Sequence, residues 1–282
     1  MSSGFDTRRF KAMERAGFNR IAARYADGAH LRAELAHALL GVATLAPGQR
    51  VLDLASGPGL LAADAAHRVH PGGMVLATDI AEGMLAEAAL RIADRGIELL
   101  FSAADAEHLC LADASVDRVL AGLALFMFPH PERALSEMHR VLAPGGRVAL
   151  SVWGERDSVP LISRAQDCIA RLLPPPKVAR PSVFRFGDPA VLQSILENAG
   201  FTEVSISACD FTCSFDDAES YWQAFLDLAG GAAEALSRLP EATQQALRNE
   251  VAADLAQHPR ADGRPGCTVP ARALIATAIR KH

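Results

Sequence analysis

Cysteine, aromatic residues and positive charge are all scarce in this chain. Five cysteines stand among 282 residues, at 110, 168, 209, 213 and 267, odd in number and with no C-x-x-C. That excludes a disulfide framework and the common zinc spacings, and fits a reducing compartment. Cys209 and Cys213 share a strand face, but two thiols with no neighbouring histidine make a poor zinc site, so no metal is expected. Aromatic residues are 6% of the chain. The formal net charge is −5, with no basic stripe, which argues against nucleic acid as a partner. Arg8, Arg9 and Lys11 form a short cluster beside Asp6 and Glu14, and read as a solvated helix end. No apolar run reaches the length of a membrane helix, and the polar start at Met1 to Asp6 does not read as a signal peptide. A cytoplasmic protein is the expectation.

What the chain does have is apolar content: 50% of its residues are hydrophobic, enough for a sizeable core. The most informative stretch is Val51-Leu52-Asp53-Leu54-Ala55-Ser56-Gly57-Pro58-Gly59. It reads as a buried strand entering a glycine turn, and Gly57 and Gly59 let the backbone approach a ligand closely. Asp53 is the unusual member. A carboxylate at the mouth of a parallel sheet is costly unless it meets a cationic or polar partner. Such a site favours an ammonium group and repels a pyrophosphate. Gly57, Gly59 and Ala62 also fit the dinucleotide pattern G-x-G-x-x-G/A, with Asp79 at the expected distance. An NAD(P)-dependent oxidoreductase is therefore the alternative reading. Against it, about fifty residues precede the glycine strand, and Asp53 would face the pyrophosphate.

Further strands are predicted at Met74 to Asp79, Ile97 to Phe101, Val116 to Gly122 and Arg147 to Trp153. A helix is predicted from Glu132 to Leu142, stopped by Pro144-Gly145-Gly146. Alternating strands and helices imply an α/β, doubly wound, mostly parallel sheet. An acid closing the second strand, Asp79, suits the two hydroxyls of a ribose.

In the order Asp53 to Gly59, Asp79, Asp105-Ala106 and Arg140 to Gly146, residues 45 to 153 resemble the class I S-adenosylmethionine-dependent methyltransferases. Within them, the chain is most similar to the small-molecule branch that includes the ubiquinone and menaquinone biosynthesis methyltransferases. It departs from the strict quinone pattern at the fifth strand, which reads Ala149-Leu150-Ser151-Val152-Trp153. The resemblance implies a Rossmann-like fold whose last strand is antiparallel, with S-adenosylmethionine as cofactor and S-adenosylhomocysteine as product. It implies that Gly57 and Gly59 surround the methionyl moiety and that Asp79 takes the ribose hydroxyls. Ile80 and Met84 would flank the adenine or ribose, Asp105 and Ala106 would meet the adenine amino group, and Ala121 and Gly122 would lie beside the sulfonium.

Three regions are expected. Residues 1–46 form a helical cap, in which Tyr25 meets the methionyl end or the substrate while Phe18 and Ile21 pack. Residues 47–153 form the cofactor-binding core. Residues 154–282 complete the sheet, with a helical insertion at about 214–266 that acts as a substrate lid or as a homodimerisation module. In this last region Pro174-Pro175-Pro176 interrupts a helix beginning near Val159. Asp188 caps a helix ending at Gly200, and strands run from Phe201 to Ala208 and from Arg272 to Arg280.

The acceptor side carries no evident base. Where relatives often have Leu-His-His, this chain reads Leu125-Phe126-Met127, and His130 is a weak catalytic candidate in a surface loop. His108 and His139 read as surface. Tyr25, Phe126, Phe184, Phe186, Tyr221 and Trp222 are the candidate pocket residues. They favour a hydrophobic or aromatic small-molecule acceptor with an O-, N- or C-nucleophile, methylated mainly through proximity and desolvation. A protein that keeps the cofactor without methyl transfer is a third reading.

Overall fold

The computed structural model describes residues 6–93, 96–175, 180–229, 231–260 and 263–281. Pro176 and the first five residues of the expected N-terminal cap lie outside the described residues. Seven strands form one sheet: β1 (Arg50–Leu54), β2 (Met74–Asp79), β3 (Leu100–Ala103), β4 (Val116–Gly122), β5 (Leu142–Trp153), β6 (Phe201–Phe215) and β7 (Cys267–Arg280). Their order is β3-β2-β1-β4-β5-β7-β6. The strands from β1 to β5 pair in parallel, and β7 enters antiparallel to both β5 and β6. This is the Rossmann-like sheet with an antiparallel last strand that the motifs implied.

Val51 to Leu54 of β1 and Val119 to Ala121 of β4 are buried on both faces because helices cover both, with Asp53 the one polar residue among them. Those helices are α1 (Thr7–Asp27), α2 (Ala33–Val42), α3 (Leu60–Val69), α4 (Glu82–Ile92) and α5 (Pro131–Val141). In α5, Ala134, Leu135, Met138 and Val141 recur on one face and are fully buried, while Pro131 occupies the first turn. After β5 come α6 (Pro160–Leu172) and α7 (Pro189–Asn198). Asp188 caps α7 through the Ala190 N–H at 2.8 Å, and Gly200 follows its end with φ of 90°. Then α8 (Ala218–Leu228), α9 (Gly231–Ser237) and α10 (Glu241–Leu255) stand between β6 and β7, inside the expected insertion.

Three expectations change. The third strand runs from Leu100 to Ala103 rather than from Ile97. It pairs only with β2, at Leu76 to Asp79, and is an edge strand with Leu100 51% exposed. Its apolar start therefore did not mark the paired segment. The last two strands extend well past their expected ends. Beyond Ala208, Phe211, Cys213 and Phe215 are buried while Asp210, Thr212 and Ser214 face out, so the period-2 pattern continues along the hairpin. Their partners Ala271, Val269 and Cys267 do the same on β7. In addition, Pro144-Gly145-Gly146 does not separate α5 from a strand. It lies in a bulge of β5, between the Val116–Leu142 and Arg118–Arg147 pairs.

Leu120 lies at the middle of the sheet with no exposed surface. Leu120→Ala should destabilise the chain by about 2–5 kcal/mol, read as a lower urea midpoint at unchanged slope.

Candidate active site

The carboxyl ends of β1, β2 and β4 open into a cleft that α1 covers. Gly57 and Gly59, with φ of 53° and 79°, turn the chain from β1 into α3. A Cβ on Gly59 would stand 3.0 Å from the Ala88 Cβ, so this turn also requires glycine for its contact with α4. Ala55 and Leu123, the residues that follow β1 and β4, also have positive φ, 53° and 52°. Such strain in non-glycine residues persists where surroundings enforce it, commonly at binding sites. Leu123 is held by its N–H, 3.0 Å from both the carbonyl and the Oγ of Ser151.

Three connected chambers make up the cleft. The first is lined by Gly57, Asp79, Ile80, Met84, Asp105, Ala106 and Gly122, all expected from the sequence. The Asp79 carboxylate accepts from the Gly57 N–H at 3.0 Å and from the Ala81 N–H at 2.8 Å, which fixes its orientation. Burial raises its pKa against these hydrogen bonds. Burial also pushes Asp105 upward, but the Lys11 ammonium at 2.7 Å and the Glu107 N–H outweigh it and leave the group below the usual range. Lys11 is also 2.7 Å from Glu107. It is thus the clasp of α1 over this chamber, not the solvated helix end expected. Phe18 lines the chamber as well, where packing alone was expected. Ile21 does pack, against Ala22, Ala81 and Met84.

The second chamber lies beneath the glycine turn and is lined by Asp53, Ser56, Tyr25, Arg32 and Ser151. Asp53 is 0% exposed, and neither carboxylate oxygen has a hydrogen-bond partner. Burial, with a further contribution from the Asp79 charge, pushes its pKa up to about 8. The Ala62 N–H opposes this from beyond hydrogen-bond reach. Arg32 is buried in the same chamber. Its Nη2 donates to the Tyr25 carbonyl at 2.9 Å, and its guanidinium lies 4.1 Å from the Tyr25 ring centroid. Its Nη1 is buried without a partner. Arg32 was missed in the sequence, where its one signal was a cation within the apolar row Leu31, Leu35, Leu39.

The third chamber, about 350 Å³, is mainly apolar. Tyr25, Phe126 and Tyr221 line it as expected, and so do Phe18, Trp153, Leu161, Gln166, Arg180 and Phe225, which were not expected there. Three expected pocket residues do not line it. Phe186 is buried beneath the Arg185 guanidinium, 5.0 Å away, and Phe184 is packed against the core. Trp222 is buried and stacked on Phe225 with ring centroids 5.6 Å apart. On α8 the face that carries Tyr221, Ala224 and Phe225 meets the chamber, and position 222 is turned from it. Gly59 and Ala121 likewise support the first chamber from behind without lining it.

His130 lines none of these chambers. It precedes α5, with Nε2 3.3 Å from Thr7 Oγ1 and Nδ1 3.5 Å from Glu132. Its weak candidacy as a base is therefore not supported by position. His108 is exposed, whereas His139 packs edge-on against Phe201 at 5.2 Å. Among the described residues, Asp105, Glu107 and His108 form the sole acidic and imidazole group close enough to share an ion, and Lys11 occupies two of its members.

Residues 52–150 match a family model described as a methyltransferase domain. The curated relatives include proteins named ubiquinone/menaquinone biosynthesis C-methyltransferase UbiE. That of Bordetella avium is 40% identical over 136 residues, 46% of this chain and 53% of that protein. That of Ralstonia nicotianae is 38% identical over 155 residues, 51% of this chain and 64% of that protein. The chain thus spans about half the length of the curated relatives it matches. A Bacillus halodurans protein assigned to the methyltransferases superposes with a TM-score of 0.59 at 22% identity, covering 88% of this chain and 99% of that one. The cyclase SpnF superposes with a TM-score of 0.55 at 20% identity, covering 89% and 81%. At these identities the superpositions establish the fold. The sequence matches make residues 52–150 similar to a methyltransferase domain.

Asp53 retains its proton in the folded chain up to about pH 8, but ionises near pH 4 once unfolded. Ionisation therefore favours the unfolded state increasingly between about pH 4 and 8, and by a constant amount above that. The melting temperature of Asp53→Asn, relative to the parent, should rise across this window and level off beyond it. A difference that does not vary with pH would remove Asp53 from its desolvated role.

Proposed function

We propose that this chain transfers a methyl group from S-adenosylmethionine to a hydrophobic or aromatic small molecule and releases S-adenosylhomocysteine. One observation carries the reading. The second chamber presents a buried carboxylate and a buried guanidinium nitrogen, each without a partner and not paired with each other. Buried charge is costly unless paired, and a zwitterionic amino-acid end would complete both groups at once. Asp53 would meet the ammonium and Arg32 the carboxylate. A pyrophosphate would offer Asp53 no cation and would repel its ionised form, which disfavours the nicotinamide alternative.

The remaining cofactor assignments follow the first chamber. Asp79 is oriented by two backbone N–H groups and would accept the ribose hydroxyls. Ile80, Met84 and Ala106 would enclose the adenine, and Asp105 would reach its amino group while still held by Lys11. Gly122 would lie beside the sulfonium, and its lack of a side chain admits Leu61, whose Cδ1 would stand 2.6 Å from a Cβ there. When bound, S-adenosylmethionine supplies a methyl group on a positively charged sulfur, and that charge is lost in the transfer, so a dry apolar surrounding favours reaction.

The chain's own contribution is to orient the acceptor and exclude water. The Tyr221 hydroxyl cannot serve as a free base. It donates to the Leu161 carbonyl at 3.1 Å and accepts from the Ala165 N–H at 3.2 Å, and burial raises its pKa further. Glu14 is held by Arg180 at 2.8 Å. The acceptor would therefore arrive with a competent nucleophile, and rate would come from proximity within the third chamber. The insertion carrying α8 supplies part of that chamber's wall, which supports its reading as a substrate lid.

Calorimetric titration with S-adenosylmethionine, S-adenosylhomocysteine and NADH tests the reading. Micromolar binding of the first two alone is expected, and binding of NADH alone would overturn it. Asp79→Ala should weaken S-adenosylhomocysteine by about 1–3 kcal/mol, the scale of hydrogen bonds lost from a charged group. Phe126→His, on the acceptor side, should leave that affinity within about twofold, well inside the 1.4 kcal/mol that a tenfold change represents.

A further inference from the structure

We propose that Arg118 and Arg147 form a second ligand site, at the base of the sheet and apart from the cleft, that binds a tetrahedral oxyanion of the phosphate type. None of the three chambers contributes a residue to it.

The strands dictate the pairing. β4 and β5 run side by side toward the cleft, and the bulge at Pro144-Gly145-Gly146 brings Arg147 into register with Arg118, near the amino end of β4. Residues in register project from the same face of a sheet, so two guanidinium groups stand side by side. Among the described residues neither forms an ion pair. Asp117 is adjacent in sequence but projects from the opposite face, where the Arg50 Nη2 and N–H both reach it at 2.8 Å. Arg118 Nη1 donates to the Asp117 carbonyl at 2.8 Å and its Nη2 to the Thr44 carbonyl at 3.4 Å, while its Nε is buried without a partner. The sole side-chain contact of Arg147 among the described residues is Thr277 Oγ1, also at 3.4 Å.

Two like charges held side by side by the backbone repel each other, and an anion between them turns that repulsion into attraction. The repulsion is felt at Arg118, whose pKa is lowered by burial and then by the charge of Arg147. The carbonyl end of α2 lies against this region and would by itself repel an anion. Arg68 offsets it, with Nη1 2.9 Å from the Leu40 carbonyl. The arginines also select the class of anion. Each guanidinium presents its donors as a planar fork. A carboxylate has two oxygens, enough for one fork. A phosphate-type ion has oxygens for both forks and enough charge for two cations.

The test uses the full chain in a buffer free of phosphate and sulfate, titrated calorimetrically with inorganic phosphate and, at equal ionic strength, with acetate. The parent should bind phosphate at one site and acetate at least about tenfold more weakly. Arg118→Gln and Arg147→Gln should each weaken phosphate at least about tenfold, the scale of one lost charge-assisted hydrogen bond. Melting curves check the fold of the variants. Without phosphate, Arg147→Gln should melt no lower than the parent, because it removes a repulsion. With phosphate, the melting temperature of the parent alone should rise. Phosphate binding that both variants retain, a parent that does not bind phosphate, or acetate bound as tightly as phosphate overturns the proposal. Vesicles of equal parts phosphatidylcholine and phosphatidic acid then separate the sources. Sedimentation of the parent with them, lost in Arg147→Gln, supports the site with a lipid headgroup as its ligand. Phosphate binding without sedimentation supports it with a soluble phosphate as its ligand.

Discussion

A buried carboxylate without a partner, Asp53, is the constraint around which the cleft is organised. It sits on β1, the strand at the centre of the parallel part of the sheet, paired to β2 on one side and β4 on the other. No solvent reaches it, so its cost must be met by keeping a proton or by a cationic ligand group. Arg32 shares the chamber but is turned to the Tyr25 ring and carbonyl. Had the two formed an ion pair, the chamber would be closed electrostatically and would attract no zwitterion. Their separation leaves the Asp53 carboxyl and the Arg32 Nη1 each without a hydrogen-bond partner.

Helix α1 brings the chambers together. Lys11 ties it to Asp105 and Glu107, Arg15 to Glu82, Glu14 to Arg180, and Arg24 to Asp227. The outer pairs, Arg15–Glu82 and Arg24–Asp227, have exposed members and contribute little each. The inner ones lie against the chamber walls, where water is scarcer, and they hold the aromatic face of the helix toward the cleft. Tyr25 lies on the boundary shared by all three chambers. A single helical face thereby forms the roof of the first chamber and one wall of the third.

The sheet and its first chamber were legible in the sequence because local rules wrote them. Glycines with positive φ, an acid closing β2 and apolar strands between turn signals act within a few residues of one another. Asp53, Asp79 and Met84 could be read for that reason. The third chamber was only partly legible. Trp153, Gln166, Arg180 and Phe225 come from a strand end, two helices and a strap far apart in the chain, and only the packing of the insertion brings them together. Aromatic identity alone did not separate Tyr221, which faces the chamber, from Trp222, which is turned into the packing. Helical phase relative to the hairpin decides that, and phase is a tertiary property. Lys11 was misread for the same reason: its partners lie about ninety residues on, and no local pattern joins them.

The long β6–β7 hairpin has a consequence for how such a protein can change. Its outer half projects past the parallel sheet and carries α8 to α10, with Phe215 edge-on to Tyr221 at 5.4 Å as the joint. The third-chamber residues Tyr221, Ala224 and Phe225 hang from that cantilever, while the second chamber's Asp53 stands on β1 and its Arg32 between α1 and α2. Residues of the insertion can therefore change without disturbing Asp53 and Arg32. The charged chamber and part of the apolar chamber's wall thus belong to separate parts of the chain, with a single hairpin as the seam between them.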